Sequence, residues 1–147
     1  MARPTTMKGS QLLIELGDGG SPEVFTAPCA LNTKGINMSA TANEQQVPDC
    51  DTPDDPMWIE RMIQTLSAAI AGSGTLALES YDIWRDWFLS GLERNVRVRF
   101  NVSAPNGGHY IGAYVLTTFN TGGNQGELCT IEVEMQSDGE IAWANAA

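Results

Sequence analysis

The sequence is short of basic residues. Only 8 of its 147 residues are Lys or Arg, against 18 Asp and Glu, and the formal net charge is -10. A protein that binds nucleic acid by neutralising phosphates needs clustered Lys and Arg, so the composition argues against that class. The acidity is also compatible with a plain role in solubility.

Long apolar runs and patterned cysteines are also lacking. No segment is apolar over the length that a membrane-spanning helix requires, and residues 1–10 have no apolar signal-peptide core. Residues 1–10 are instead predicted to form a flexible arm. Cys29, Cys50 and Cys129 do not have metal-site spacing, so we expect reduced thiols in a protein made in a cytosol, with Cys129 in the core.

Catalytic motifs are absent as well. The one histidine, His109, stands beside a Gly-rich turn at the start of a predicted strand, and no G-x-S-x-G pattern occurs. A catalytic triad needs a nucleophile and a base that a third group orients, and no such set emerges. The glycines of 17–20 are followed by neither a lysine nor a helix start, which a phosphate loop requires. The sequence therefore predicts neither an enzyme nor a bound cofactor.

One clear amphipathic helix is predicted over residues 80–90. Ser80 is a suitable N-cap, and Gly91 stands where a left-handed residue ends a helix. Four apolar residues recur at helical spacing between them and form one packing face: Ile83, Trp84, Trp87 and Phe88. A face with two tryptophans must cover a large apolar surface, and the surrounding strands indicate that this surface is a sheet.

Most of the remaining chain alternates between apolar and polar residues, as strands do. The predicted strands are 11–16, 23–29, 33–42, 96–102, 109–119, 128–136 and 141–144. Residues 57–71 are ambiguous, because they carry a helical apolar stripe and also a strand-like alternation that continues through Gly72-Ser73-Gly74. The residues alone leave helix and strand open for this segment.

Residues 43–56 form an acidic stretch with no period. They contain three prolines and no basic residue, and a loop of this length inside a compact domain is usually functional. We expect it to order against a partner. Its candidate contact residues are Glu44, Asp49, Asp51, Asp54, Asp55 and the neighbouring Trp58.

The acidic stretch also permits a calcium hypothesis. Asp49, Asp51 and Glu60 match three positions of a calcium-loop template. Pro53 and Asp54, however, stand where the template needs a ligand and a glycine. The stretch is therefore weighed as a calcium module and as a solvated or partner-contacting loop, and no metal is assigned.

Taken in order, these pieces resemble the tail tube proteins of long-tailed bacteriophages and gene transfer agents. The resemblance runs from about Met7 over nearly the whole chain. It is carried by "PDCDTPDDPMWIERMIQTLSAAIAGSGTLAL", by the helix "ESYDIWRDWFLSG", and by a Gly-rich meander that ends in "GEIAW". The resemblance favours a strand from about Met62 and a single domain over residues 11–147.

The resemblance implies a β-sandwich or barrel subunit, mainly β with one flanking helix. Such subunits form hexameric rings that stack into a hollow tube, and DNA leaves the capsid through this tube. It further implies a virion protein, assembled in the host cytoplasm, that contacts copies of itself and other tail proteins and no membrane. An acidic lumen would repel phosphate, and Glu132 and Glu134 are candidate lumen residues because they share an outward parity. Arg97 and Arg99 would weaken an acidic wall, so they are expected at an interface.

Two alternatives stay open. One is an isolated β-sandwich that binds a carbohydrate or a cell-surface partner through exposed tryptophans. The other is a related tail protein, such as a tail terminator, which would form rings without long tubes.

Overall fold

The protein is built on one large antiparallel sheet with a single α-helix among the described residues. The computed structural model describes residues 3–20, 22–28 and 31–146, so Cys29 lies outside it. The elements are β1 (Leu12–Gly17), β2 (Phe25–Thr26), β3 (Leu31–Val47), β4 (Trp58–Thr75), α1 (Leu78–Ser90), β5 (Arg94–Phe100), β6 (Gly108–Gly122), β7 (Thr130–Ser137) and β8 (Ala142–Asn145), with a short 3₁₀ turn at Gly9–Gln11. The predicted class, mainly β with one flanking helix, is confirmed.

The long central strand β6 connects the two halves of the sheet. The strand order is β2-β1-β5-β6-β7-β4-β3, and β8 also pairs with β6. Near its start β6 lies between β5 and β8, whereas its second half pairs with β7. An irregularity between Leu116 and Thr118 interrupts the pairing with β7, and such irregularities bend and twist a strand.

The core is made by alternate residues of these strands together with the helix. Residues of one parity in β5 and β7 are buried, while their neighbours are more exposed; in β1 all four residues from Ile14 to Gly17 are buried. The buried apolar residues form one cluster: Ile14, Leu16, Ala68, Ile70, Trp84, Trp87, Val96, Val98, Tyr114, Ile131, Val133 and Met135. This one cluster draws on β1, β4, β5, β6, β7 and α1 and forms a single core.

The helix covers the sheet with its tryptophans, as its stripe indicates. Trp84 and Trp87 are buried with ring centroids 6.0 Å apart, and the Trp87 indole N–H donates to the Leu92 carbonyl at 2.9 Å. Phe88 lies at the margin: its ring is 6.2 Å from that of Phe119, yet 45% of the residue is exposed. Ile83 is half-buried against the same core.

The helix start differs from the prediction. The helix begins at Leu78 with Ala77 as N-cap, so Ser80 lies in the first turn, and its hydroxyl donates to the Ala77 carbonyl at 3.4 Å. Ser80 is a buried residue of the first turn and is not the N-cap, because the helix already begins two residues earlier. Gly91 ends the helix in the left-handed conformation, with φ of 67°, as expected.

The segment that the residues left open is a strand. Residues 58–75 form β4, which pairs with β3 from Val47–Trp58 to Leu31–Gly74. The glycines of 72–74 lie inside this strand. A helix would satisfy the backbone groups equally well, so the strand is favoured by the pairing of β4 with β3 and β7 and by the burial of Ala68 and Ile70 in the core.

Two predictions near these strands are wrong. Residues 43–47 belong to β3 rather than to a loop, because each pairs with a residue of β4, and the connecting loop is therefore 48–57. Cys129 is exposed rather than buried, because β7 begins one residue later at Thr130. None of the helical residues that the structure describes makes a segment of the length and hydropathy needed to cross a membrane.

Candidate functional site

A two-stranded hairpin extends beyond the sheet. β7 pairs with β4 only over residues 69–75, and the earlier residues of β4 pair with β3 alone. We call residues 38–67 the hairpin arm. From Ala68 to Trp58 the arm runs about 34 Å, at ~3.4 Å per residue. Strands β3 and β4 therefore continue well past the body that their first halves help to build.

The apolar face of β4 continues onto the arm without anything to cover it. Along one side of the strand, Ile70 is 0% exposed, Ala68 is 4% exposed and Leu66 is 79% exposed. Exposed apolar residues occur along the whole arm: Met38, Val47, Met57, Trp58, Ile59, Met62, Ile63 and Leu66. An exposed apolar surface of this extent is typical of an interaction site.

The end of the arm is acidic. Loop 48–57 holds Asp49, Asp51, Asp54 and Asp55 and no basic residue. Short turns shape it: the Asp51 N–H donates to Asp49 Oδ1 at 2.9 Å, and the Asp55 N–H donates to the Thr52 carbonyl at 3.1 Å. The loop thus presents several carboxylates at the far end of an extended support.

The structure brings the predicted contact residues together on this one arm, but not in one environment. Glu44 lies on β3 and forms an ion pair with Arg61 of β4, with Nε and Oε1 3.0 Å apart. Trp58 begins β4 and is 88% exposed. Among the described residues, no three His, Cys, Asp or Glu side chains are grouped so that they could hold a metal ion. The geometry therefore favours an arm that contacts a partner over a calcium module.

Glu132 and Glu134 lie on an outward face, where the residues paired with them are small and uncharged. They alternate on β7 with the buried Ile131, Val133 and Met135. In register, Ser73 and Asn120 flank Glu132, and Ala71 and Thr118 flank Glu134. Neither glutamate makes an ion pair with another described residue, so the negative charge of both carboxylates is exposed to solvent. We call this surface the glutamate face.

Arg97 and Arg99 lie on the outward side of β5, away from the glutamate face. Their partner is Glu15 on β1: Arg97 Nε donates to Glu15 Oε1 at 2.7 Å, and Arg99 Nη1 is 3.9 Å from Glu15 Oε2. Arg97 also lies 4.5 Å over the Phe25 ring. Arg97 pairs across the sheet with Ile111, whereas Glu132 pairs with Asn120, near the opposite end of β6. The two charge types are therefore kept apart.

Sequence reasoning missed two features of these surfaces. It did not predict that Met38, Met62 and Leu66 stay exposed, as they do in the structure. It also missed a cavity beside Arg97 and Arg99, because the chain end and the 101–107 turn meet there only in the folded sheet. The first feature depends on strand lengths of 17 and 18 residues, which exceed the usual strand length and are known only from the structure.

The helix tryptophans do not make a sugar site. Trp84 and Trp87 are core residues, and Trp143 packs against Tyr110 with ring centroids 4.7 Å apart. A half-buried sheet with a long apolar arm and free edges is typical of a subunit that is completed by other subunits. The protein is thus of the structural, assembly-forming class.

The family follows from the sequence match. Residues 6–142 match the phage tail tube protein family, and the chain belongs to that family. A comparison with curated proteins finds no match.

Solved structures share the fold. One is the tail of an empty gene transfer agent (GTA) particle with C6 symmetry, with TM-score 0.79 and 22% identity over 95% of this chain and 99% of that chain. A second is a subunit in the virion of a native GTA particle, with TM-score 0.75 and 20% identity over 95% and 99%. A third is the SPP1 tail tube, with TM-score 0.69 and 11% identity over 97% and 80%.

Proposed function

We propose that this chain assembles into hexameric rings, and that the rings stack into the tail tube through which DNA leaves the capsid. The hairpin arm is the observation that carries this proposal. It is long, apolar and uncovered, and its strands hold it away from its own body. Because an isolated subunit would expose this surface to water, burial against neighbouring copies supplies the driving force for assembly.

Ring closure is supported by the sheet and by the comparisons. β2 and β3 stand at the two ends of the strand order, and each leaves an edge that another copy can pair with. The similar GTA tail has C6 symmetry, which supports six copies per ring. A closed ring of shared sheets removes the exposed edges that promote uncontrolled aggregation.

The glutamate face is proposed as the lining of the lumen. DNA is held by basic groups that release its counterions, and a wall that must let DNA pass should offer none. Glu132 and Glu134 are exposed, and the residues beside them in register are small and uncharged. Arg97 and Arg99 lie elsewhere on the sheet, where an interface between copies can use them.

The remaining parts of the proposal concern place and partners. We expect the assembled tube in the phage tail, after assembly in the host cytoplasm, in contact with other tail proteins at its ends.

Negative-stain imaging of the purified, concentrated protein tests the proposal. We expect rings and tubes whose length grows with protein concentration. Rings that never stack would instead indicate a tail terminator. A protein that remains monomeric in sedimentation at high concentration, with no rings in the images, would contradict the assembly role altogether.

A further inference from the structure

A cavity of about 760 Å³ opens beside the two arginines of β5. It lies between β5, the 101–107 turn, the start of β6 and the end of the chain. Its polar lining residues are Arg97, Arg99, Asn101, Ser103, His109 and Asn145. Among the described residues that line it, none is acidic. The polar part of the lining therefore offers hydrogen-bonding groups and positive charge but no negative charge.

Beside the cavity, one carboxylate forms ion pairs with two guanidinium groups. Glu15 is buried and is bonded to Arg97 at 2.7 Å, while Arg99 approaches it only to 3.9 Å. The Arg99 side chain is also much more exposed than that of Arg97. Burial, with help from Arg97 and Arg99, lowers the pKa of His109, so its neutral ring adds hydrogen-bonding atoms rather than charge. Arg99 thus has donors left for a second carboxylate.

The end of the hairpin arm has the complementary chemistry. Loop 48–57 carries four aspartates without a basic residue and sits on a support about 34 Å long. Paired strands hold that support extended, and no residue of the loop is among the described residues that line the cavity of its own chain. A second copy is the partner that brings the two together.

We propose that the acidic loop 48–57 of one copy docks in the Arg97–Arg99 cavity of another copy. The inference rests on the proposed tube and names the contact that links its subunits. Carboxylates of the loop accept hydrogen bonds from Arg99 and from the polar lining beside it. DNA phosphate is the competing occupant, but a chain with a net charge of -10 repels it at long range.

Disulfide trapping tests the contact directly. Cys50 lies between Asp49 and Asp51 in the loop and is exposed, and Ser103 lines the cavity and is exposed. A chain with Cys29→Ser, Cys129→Ser and Ser103→Cys keeps one thiol in each surface. After mild oxidation of assembled tubes, we expect a ladder of linked chains on a non-reducing gel. Asp86→Cys in place of Ser103→Cys, on the exposed side of the helix, is the control and should give none.

Charge exchange gives an independent measurement. We expect Arg99→Glu to raise the protein concentration needed for tube formation about tenfold, which corresponds to ~1.4 kcal/mol. Asp51→Arg with Asp54→Arg in the same chain should restore assembly. Arg85→Glu reverses a helix arginine that pairs with Asp82 and Asp86, and it should leave the concentration unchanged.

The outcomes separate the contact from the function. Two results would refute the docking and leave the tube role standing. One is that tubes of the Ser103→Cys chain give no link between Cys50 and the introduced thiol. The other is that the Arg99→Glu chain forms tubes as well as the wild type does. If the wild type binds DNA, and the Arg99→Glu chain still forms tubes but no longer binds DNA, the cavity holds phosphate and the inference is wrong. A wild type that forms no tubes would overturn both.

Discussion

Tyr114 carries a buried hydroxyl whose removal should stabilise the protein. The residue is 1% exposed in the middle of β6, and its hydroxyl is the one fully buried side-chain polar atom without a hydrogen-bond partner in the part of the chain that the structure describes. Burying such a group without a partner costs about 1–3 kcal/mol. Tyr114→Phe keeps the ring that fills the core. We therefore expect a gain of about 1–2 kcal/mol in the free energy of unfolding and a rise of roughly 3–6 °C in melting temperature.

The same residue predicts a pH dependence. Burial raises the pKa of Tyr114 from 10.0 to about 12 in the folded protein. Between pH 10 and 12 the unfolded chain releases this proton while the folded chain keeps it, so stability falls as pH rises through that window. A difference of two pKa units corresponds to about 2.7 kcal/mol. Tyr114→Phe lacks this loss, so its advantage over the wild type should widen above pH 10.

Urea unfolding followed by circular dichroism measures both effects on dilute, unassembled protein. Tyr81→Phe is the matched control, because Tyr81 is only partly buried, and its effect should stay below ~0.5 kcal/mol. A loss of stability of 1 kcal/mol or more in Tyr114→Phe, or a gain that does not change with pH, would show that the hydroxyl has a partner and that this reasoning is wrong.

Three further predictions concern the arm, the glutamate face and the helix end. Leu66→Asp should prevent tube formation in electron micrographs without lowering monomer stability by more than ~0.5 kcal/mol. Leu89→Asp, at an equally exposed helix leucine, should assemble normally, and tube formation by Leu66→Asp would contradict the role of the hairpin arm in assembly. The double variant Glu132→Lys with Glu134→Lys should still form tubes, and these tubes should retain DNA in a filter assay at low salt, whereas tubes of Glu132→Gln with Glu134→Gln should not. If the lysine tubes retain no DNA, these residues lie outside the lumen. Gly91→Ala should lower the free energy of unfolding by about 1–2 kcal/mol, because residue 91 has φ of 67°, and Gly91→Asn should cost less; equal stability of all three chains would contradict the left-handed helix end.

Much of the architecture could be predicted from local patterns. The alternation of Val96 and Val98 with Arg97 and Arg99, and of Ile131 and Val133 with glutamates, predicts which side of each strand is buried, and the structure agrees. The tryptophan stripe of the helix works in the same way, since a period of 3.6 residues places Trp84 and Trp87 on one side. Such patterns are set by backbone geometry within one element, so they can be seen without any partner.

The surfaces proposed for assembly needed the tertiary structure. Leu66 and Ile70 have the same parity and the same hydrophobic character, yet only Ile70 lies beneath the rest of the protein, because β7 stops pairing with β4 at residue 69. Residues 43–47 contain Glu44 and two glutamines and resemble a loop by composition, but their pairing with β4 makes them a strand. Pairing between distant segments decides both cases.

By itself, then, the sequence determined most of the strands, the helix, the acid-rich composition and the family resemblance, because these depend on neighbouring residues and on residue types. Only the folded sheet decided that the arm stands free, that Cys129 is exposed, and that Arg99, Ser103 and Asn145 border one cavity. Those features depend on where one element ends relative to another that is far away in the chain. The relative positions of such distant elements are set by the packing of the whole domain and by no single stretch of residues.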